Sequence, residues 1–172
     1  KDVPGYLIDL SVFQNFEEYL NETINSKTQA NIRRRKRKLE KEHDIKYAWI
    51  ENIDWEKYDE LMLSFEGLLR KRYSGKNEDF RKLQPSIWLF YKELWYELLR
   101  EGLARFFVIY AGSNPISVSL DYHTGEGFMQ EITVFDTDFN KYGVGSVSLI
   151  ESLKYAFSKN LRHFDLKMLN YG

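Results

Sequence analysis

A chain of 172 residues with 43% apolar and 30% charged side chains can bury one sizeable core, and its composition is neither that of a disordered chain nor that of a membrane span. The absence of cysteine excludes disulfides, thiolate nucleophiles and cysteine-held zinc, and the three histidines show no helical metal-pair spacing, so no metal is expected. The net charge of −1 hides a segregation: residues 26–42 carry eight Lys/Arg against two Glu, a local +6 that leaves −7 for the remainder.

Residues 16–25 read as a short helix, and Ser26 reads as the N-cap of the basic helix that follows. In that helix Ile32 and Leu39 lie two turns apart on one face, a thin apolar stripe opposite a solvated basic surface. Residues 45–50 suit a strand. Trp55, Tyr58, Leu61, Met62, Phe65, Leu68 and Leu69 follow helical spacing, and Gly75, Asn77 and Asp79 punctuate a loop. A further helix places Ile87, Phe90, Tyr91, Leu94, Trp95 and Leu98 on one face, with Pro85 in its first turn and Gly102 at its end.

The pattern then changes period. Residues 105–110 form a nearly continuous apolar strand, Pro115 marks a turn, and Ile116, Val118, Leu120 and Tyr122 alternate with Ser117, Ser119 and Asp121 as a half-buried strand. A Thr124–Gly125 turn leads to a third strand at 128–134, so the short connections predict an antiparallel meander. A glycine-containing loop precedes a helix over 146–159, with Leu149, Ile150, Leu153, Ala156 and Phe157 facing inward, and the last strand covers 163–168. Strand, helix, strand at this spacing requires a crossover, which makes 163–168 parallel to 128–134. The expected class is a mixed α/β (α+β) sheet protein: a single domain over 1–172, with a helical segment over 1–43 and a core over 44–172. Because the chain opens on Lys1 rather than Met, it reads as part of a longer protein. No apolar run approaches the roughly 20 residues that span a bilayer, and no signal-like segment opens the chain, so a cytoplasmic setting is expected.

The chemistry-bearing stretch is Asn140–Lys141–Tyr142–Gly143–Val144–Gly145. Two glycines let backbone N–H groups approach a phosphate, the following helix adds its partial positive end, and Ser146 can cap or donate. On this reading Gly143→Val and Gly145→Val weaken binding of a phosphate-bearing ligand and leave the fold intact.

The order of elements around this loop resembles the GNAT acyltransferase fold, in which a Q/R-x-x-G-x-G/A signature cradles the coenzyme A pyrophosphate; Asn140 departs from that signature. The run KTQANIRRRKRKLEKE is similar to the opening of CelD-type acyltransferase domains. The spaced residues Asp136, Tyr142–Gly143 and Phe164–Asp165–Leu166 resemble a pattern of the same CelD/FemAB-like branch.

The resemblance implies acyl transfer from acetyl-CoA or another acyl-CoA to an amine or hydroxyl, such as a cell-envelope precursor. It implies a donor site at Ile132, Val134, Asn140, Lys141, Tyr142, Gly143, Val144, Gly145 and Ser146. Glu131 stands where the family carries a carboxylate base; Asp165 and His123 are further catalytic candidates. Tyr142 and Tyr171 stand in for a general acid that the family supplies further along the chain. Arg33, Arg34 and Arg37 are candidates for an anionic acceptor or for tRNA. Two other readings stay open: a FemAB-like tRNA-dependent aminoacyl transferase, and a noncatalytic anion-binding module.

Overall fold

The structure, a computed structural model, describes residues 6–74 and 81–167. Eleven regular elements follow in chain order: β1 (Leu7–Asp9), α1 (Phe16–Thr23), α2 (Ser26–Glu42), β2 (Ile45–Ile50), α3 (Trp55–Tyr73), α4 (Pro85–Arg100), β3 (Ala104–Ala111), β4 (Asn114–His123), β5 (Gly127–Phe135), α5 (Val144–Ser158) and β6 (His163–Asp165). The six strands form one sheet in the order β1-β6-β5-β4-β3-β2. Strands β2 to β5 pair antiparallel, and β6 joins β5 parallel after the α5 crossover. The expected meander and crossover are both present, and β2, separated from β3 by α3 and α4, extends the antiparallel part to four strands by pairing along all of its length with β3. The three-residue β1, antiparallel to β6, carries too little alternation to be read from sequence.

Helices α3 and α4 cover one face. Tyr58, Met62, Phe65, Leu69 and Trp95 pack there on Phe106, Val108, Val118, Leu120 and Val134. Each large apolar side chain so buried contributes roughly 1.5–3 kcal/mol. Helix α5 covers the other face, flanked by α1 on one side and by α2 on the other. Leu39 anchors α2 among Phe107, Ile109, Tyr142 and Val147.

Several local expectations are corrected. Asn25, not Ser26, caps α2, its side chain accepting from the Thr28 amide at 2.9 Å. Helix α1 ends at Thr23, where Ile24 turns extended. Pro115 lies inside β4, and the turn before it uses Gly112 at φ +60°. Strand β4 is buried on both faces: Ser117, Ser119 and Asp121 are as inaccessible as Val118 and Leu120. The serines bond within the interior, Ser119 Oγ lying 3.2 Å from Ser148 Oγ and accepting from Thr133 Oγ1 at 3.0 Å. In helix α5, Leu153 and Ala156 are buried as expected, but Val144, Val147, Ser148 and Ser152 complete the buried face, while Leu149, Ile150 and Phe157 lie at its margin. In α4 the buried residues are Trp88, Trp95 and Leu99, and Phe90 is 60% exposed. Gly75, Asn77, Asp79, Met168 and Tyr171 lie outside the described residues.

Candidate donor cleft

The parallel pairing of β5 and β6 covers only Gly127–Met129, although β5 continues to Phe135. Beyond Met129 the β6-side edge of β5 has no strand partner among the described residues. A cleft of about 430 Å³ opens there, lined by Gln130, Thr133 and Phe135 of β5, by the glycine loop, and by Leu166 and Arg72.

The loop is built as a rigid mount. Asp136 opens a 3-10 turn over Thr137–Tyr142 by accepting the Asp138 amide at 3.0 Å. Tyr142 is buried, and its hydroxyl donates to Glu42 at 2.5 Å and lies 3.0 Å from His43 Nε2, tying the loop to the end of α2. Gly143 then takes a left-handed conformation (φ +62°, ψ +40°) as N-cap of α5, and no side chain caps the helix. Helix α5 therefore begins at Val144, two residues before the expected start, and the orphan amides of its first turn are open to an anion.

Of the nine candidate donor-site residues, Asn140, Gly143, Gly145 and Ser146 line the cleft. Lys141 is exposed. Tyr142 and Val144 are core residues. Ile132 and Val134 send their side chains into the α3/α4 core, which leaves only their backbone at the open edge.

The glycine substitutions also carry a cost in stability, one that leaves the domain folded. A Cβ on Gly145 would lie 2.9 Å from Cε1 of Phe135, and one on Gly143 would lie 3.0 Å from Nη1 of Arg35 in a left-handed conformation. Gly145→Val is expected to cost about 1–3 kcal/mol through overpacking, and Gly143→Ala about 1–2 kcal/mol through backbone strain. Urea midpoints without ligand measure both, and parent-like midpoints would contradict this packing.

Glu131 sits at an irregularity. Leu120 pairs with Ile132 and Asp121 with Gln130, so Glu131 is the extra residue of a β-bulge. Its side chain and that of the adjacent Ile132 both point to the α3/α4 side: Ile132 packs on the core, and the Glu131 carboxylate contacts the ammonium groups of Lys82 and Lys167. Lys82 packs over Tyr91 at 4.8 Å. Burial pulls both ammonium groups below the ordinary lysine range, with Tyr91 opposing it at Lys82 and repulsion from Lys82 adding to it at Lys167. Asp165 accepts the Lys167 amide at 2.7 Å and thereby holds Lys167 at φ +55°. His123 is elsewhere: it lies edge-on to Phe128 and lines a separate hollow with Tyr155 and Glu51, its pKa lowered by burial.

Arg33, Arg34 and Arg37 are exposed and bond within α2, to Gln29, Asn31 and the Arg33 carbonyl. The arginine of α2 that reaches the loop is Arg35. Its spacing from Ile32 and Leu39 puts it on the apolar stripe, a signal that singles it out in the sequence. Lys82 and Lys167 approach Glu131 from 49 and 36 residues away in sequence, and no local pattern marks them. Among the described residues no group of three or more His, Asp or Glu converges as a metal-ligand set, and no helix is long and apolar enough to cross a membrane.

The sequence model of a family described as Acetyltransferase (GNAT) domain matches residues 26–171. No curated protein matches the sequence. Among solved structures, a conserved protein of unknown function from Bacteroides thetaiotaomicron superposes with a TM-score of 0.62 at 10% identity, over 95% of this chain and 50% of that one. L-PGS from Bacillus licheniformis gives a TM-score of 0.61 at 13% identity, over 95% and 46%. The PaiA N-acetyltransferase from Thermoplasma acidophilum, solved in complex with coenzyme A, gives 0.53 at 15% identity, over 68% and 74%. The chain thus spans about half the length of the first two, and at these identities the likeness is one of fold.

Proposed function

The chain belongs to the GNAT acetyltransferase domain family, and from that premise we propose that it transfers an acyl group from acyl-CoA to an amine or hydroxyl acceptor, with the donor lying in the cleft between β5 and α5. The observation that carries this reading is the open edge of β5 running into the uncapped start of α5. An extended pantetheine arm is complementary to the free peptide groups of residues 132–134, as an added strand would be. The diphosphate then falls on the amides of Val144, Gly145 and Ser146.

This placement brings the thioester toward the bulge. The acceptor nucleophile attacks the thioester carbonyl, a tetrahedral intermediate collapses with loss of the coenzyme A thiolate, and Glu131 takes the nucleophile's proton. Lys82 and Lys167 balance the Glu131 charge before the acceptor arrives. Asp165 is a positioning residue through Lys167. Tyr142, whose hydroxyl is committed to Glu42 and His43, is set aside as the general acid.

The CelD/FemAB-like branch and a cytoplasmic setting complete the proposal. The exposed basic face of α2 favours the second reading, an aminoacyl-tRNA donor.

Calorimetric titration of the full-length protein separates the two. Saturable binding of coenzyme A and acetyl-CoA with no tRNA binding is expected. Salt-sensitive tRNA binding without coenzyme A binding would replace the first reading by the second.

A further inference from the structure

Most charges near the glycine loop are already paired. Lys36 meets Glu151 at 2.5 Å, Lys38 meets Glu42 at 3.8 Å, and Lys71 meets Asp136 and Asp138 at 2.5 and 2.6 Å. Among the described residues, two cations are half-buried and yet have no acidic partner: Arg35 of α2 and Arg72 of α3. Both stand at this loop. Arg35 packs on Gly143, with Nη1 3.0 Å from the point a Cβ would occupy. Arg72 lines the cleft beside Gly145 and Ser146, its guanidinium 4.9 Å from the centre of the Phe135 ring.

Partial burial without a counter-charge costs free energy, so two such groups meeting one glycine loop, Arg72 in the cleft and Arg35 behind Gly143, mark a place where a polyanion completes the structure. The helix amides alone offer about half a charge, and Asn140 adds none, whereas a diphosphate carries about two. Two guanidiniums make up that difference and can each grip phosphate oxygens bidentately.

We propose that Arg35 and Arg72 clamp the diphosphate of the donor from opposite sides of the glycine loop. This rests on the acyl-CoA reading above and extends it: α2 serves the donor through Arg35, whatever its outer face binds. Phe135 is the spacer of the clamp, since its ring edge packs on Gly145 and its face carries Arg72.

The test is titration of coenzyme A and 3′-dephospho-coenzyme A into the full-length parent, Arg35→Ala, Arg72→Ala, the two lysine replacements, and Lys41→Ala as an exposed control on α2. Each alanine variant is expected to weaken coenzyme A binding about tenfold, as loss of a charged phosphate contact does. Lysine should restore part of the loss, and Lys41→Ala should change nothing. The same fold-losses are expected with dephospho-coenzyme A, which keeps the diphosphate. Melting temperatures without ligand exclude unfolding as the cause. If the parent binds coenzyme A and both alanine variants match it within about twofold, the clamp is wrong and the donor reading stands. Losses that vanish with dephospho-coenzyme A would move the arginines to the 3′-phosphate and overturn the diphosphate assignment. No binding by the parent would overturn the donor reading and the clamp together.

Discussion

Replacement of Glu131 by glutamine is expected to lower kcat by about 10²- to 10⁴-fold, the usual worth of a positioned general base, with acyl-CoA affinity held within about twofold. The two effects separate because the carboxylate faces the α3/α4 side of β5, whereas the proposed donor cleft lies at the open edge and the loop. Glutamine keeps the volume of a side chain that is only 7% exposed, but it removes the charge that Lys82 and Lys167 share. Those lysines are themselves part-exposed and can turn to water, so the fold should survive. Thiol release from acetyl-CoA reads kcat with whichever member of an amine and amino-sugar panel the parent acetylates, and coenzyme A titration reads the donor. Turnover within threefold of the parent would show that Glu131 is not the base.

The largest loss of stability is expected from Asp121→Ala, about 3–5 kcal/mol, against a total of about 5–15 kcal/mol for a typical domain. Arg105 and Asp121 are both fully buried, and a single oxygen, Asp121 Oδ2, accepts from Arg105 Nε at 3.3 Å and Nη2 at 3.1 Å. Arg105 Nη1 and Asp121 Oδ1 have no hydrogen bond of good geometry among the described residues. Tyr155 and Gln130 lie close enough to favour the charged forms. The guanidinium is enclosed by Trp49, Tyr155 and Phe128, with Cζ 4.3, 4.2 and 3.2 Å from their ring centres. Removing the carboxylate leaves that cation sealed and unpaired. The double change Arg105→Met, Asp121→Leu should recover most of the loss, since the burial cost of both ions disappears with them. Urea midpoints of the two single variants and the double variant form the cycle, and additive losses would contradict the pairing.

A pH signature accompanies the pair. Burial pushes the Asp121 carboxyl up to about 6, with Arg105 opposing. The folded state then holds a proton that the unfolded chain releases near 3.8. This group's favourable contribution is complete below about pH 3.8 and is lost as pH rises through 6, a change of about 3 kcal/mol. Asp121→Asn should remove that component from the stability profile between pH 4 and 7; an unchanged slope would place the titration elsewhere.

The order of elements was legible because helices α3 and α4 and strands β3 to β5 keep their periods over many residues. Burial was misread wherever small hydroxyls do the packing. Ser117 and Ser119 look solvent-facing in an alternating strand, and Ser148 and Ser152 look like the outer face of α5. Each of these polar readings conceals the other, since serines from the strand and the helix meet in the interior. The glycine loop was legible from spacing, and Glu131 is proposed from resemblance alone. The partners of Glu131 were not, because a bulge and two distant lysines make the cluster only once the chain has folded. Arg35 lay in plain view on the Ile32–Leu39 stripe, masked by seven other cations in the same run.

The bulge at Glu131 also separates two kinds of inheritance within one strand. Ladder pairing resumes on either side of it, with Leu120 opposite Ile132 and Asp121 opposite Gln130, as though the residue between were not there. Hydrophobic register, which a one-residue slip would otherwise reverse, is kept by Leu120 and Ile132 on the α3/α4 side. The carboxylate occupies a place that the sheet does not count, so neither the ladder on either side nor the packing of Ile132 depends on which side chain stands there.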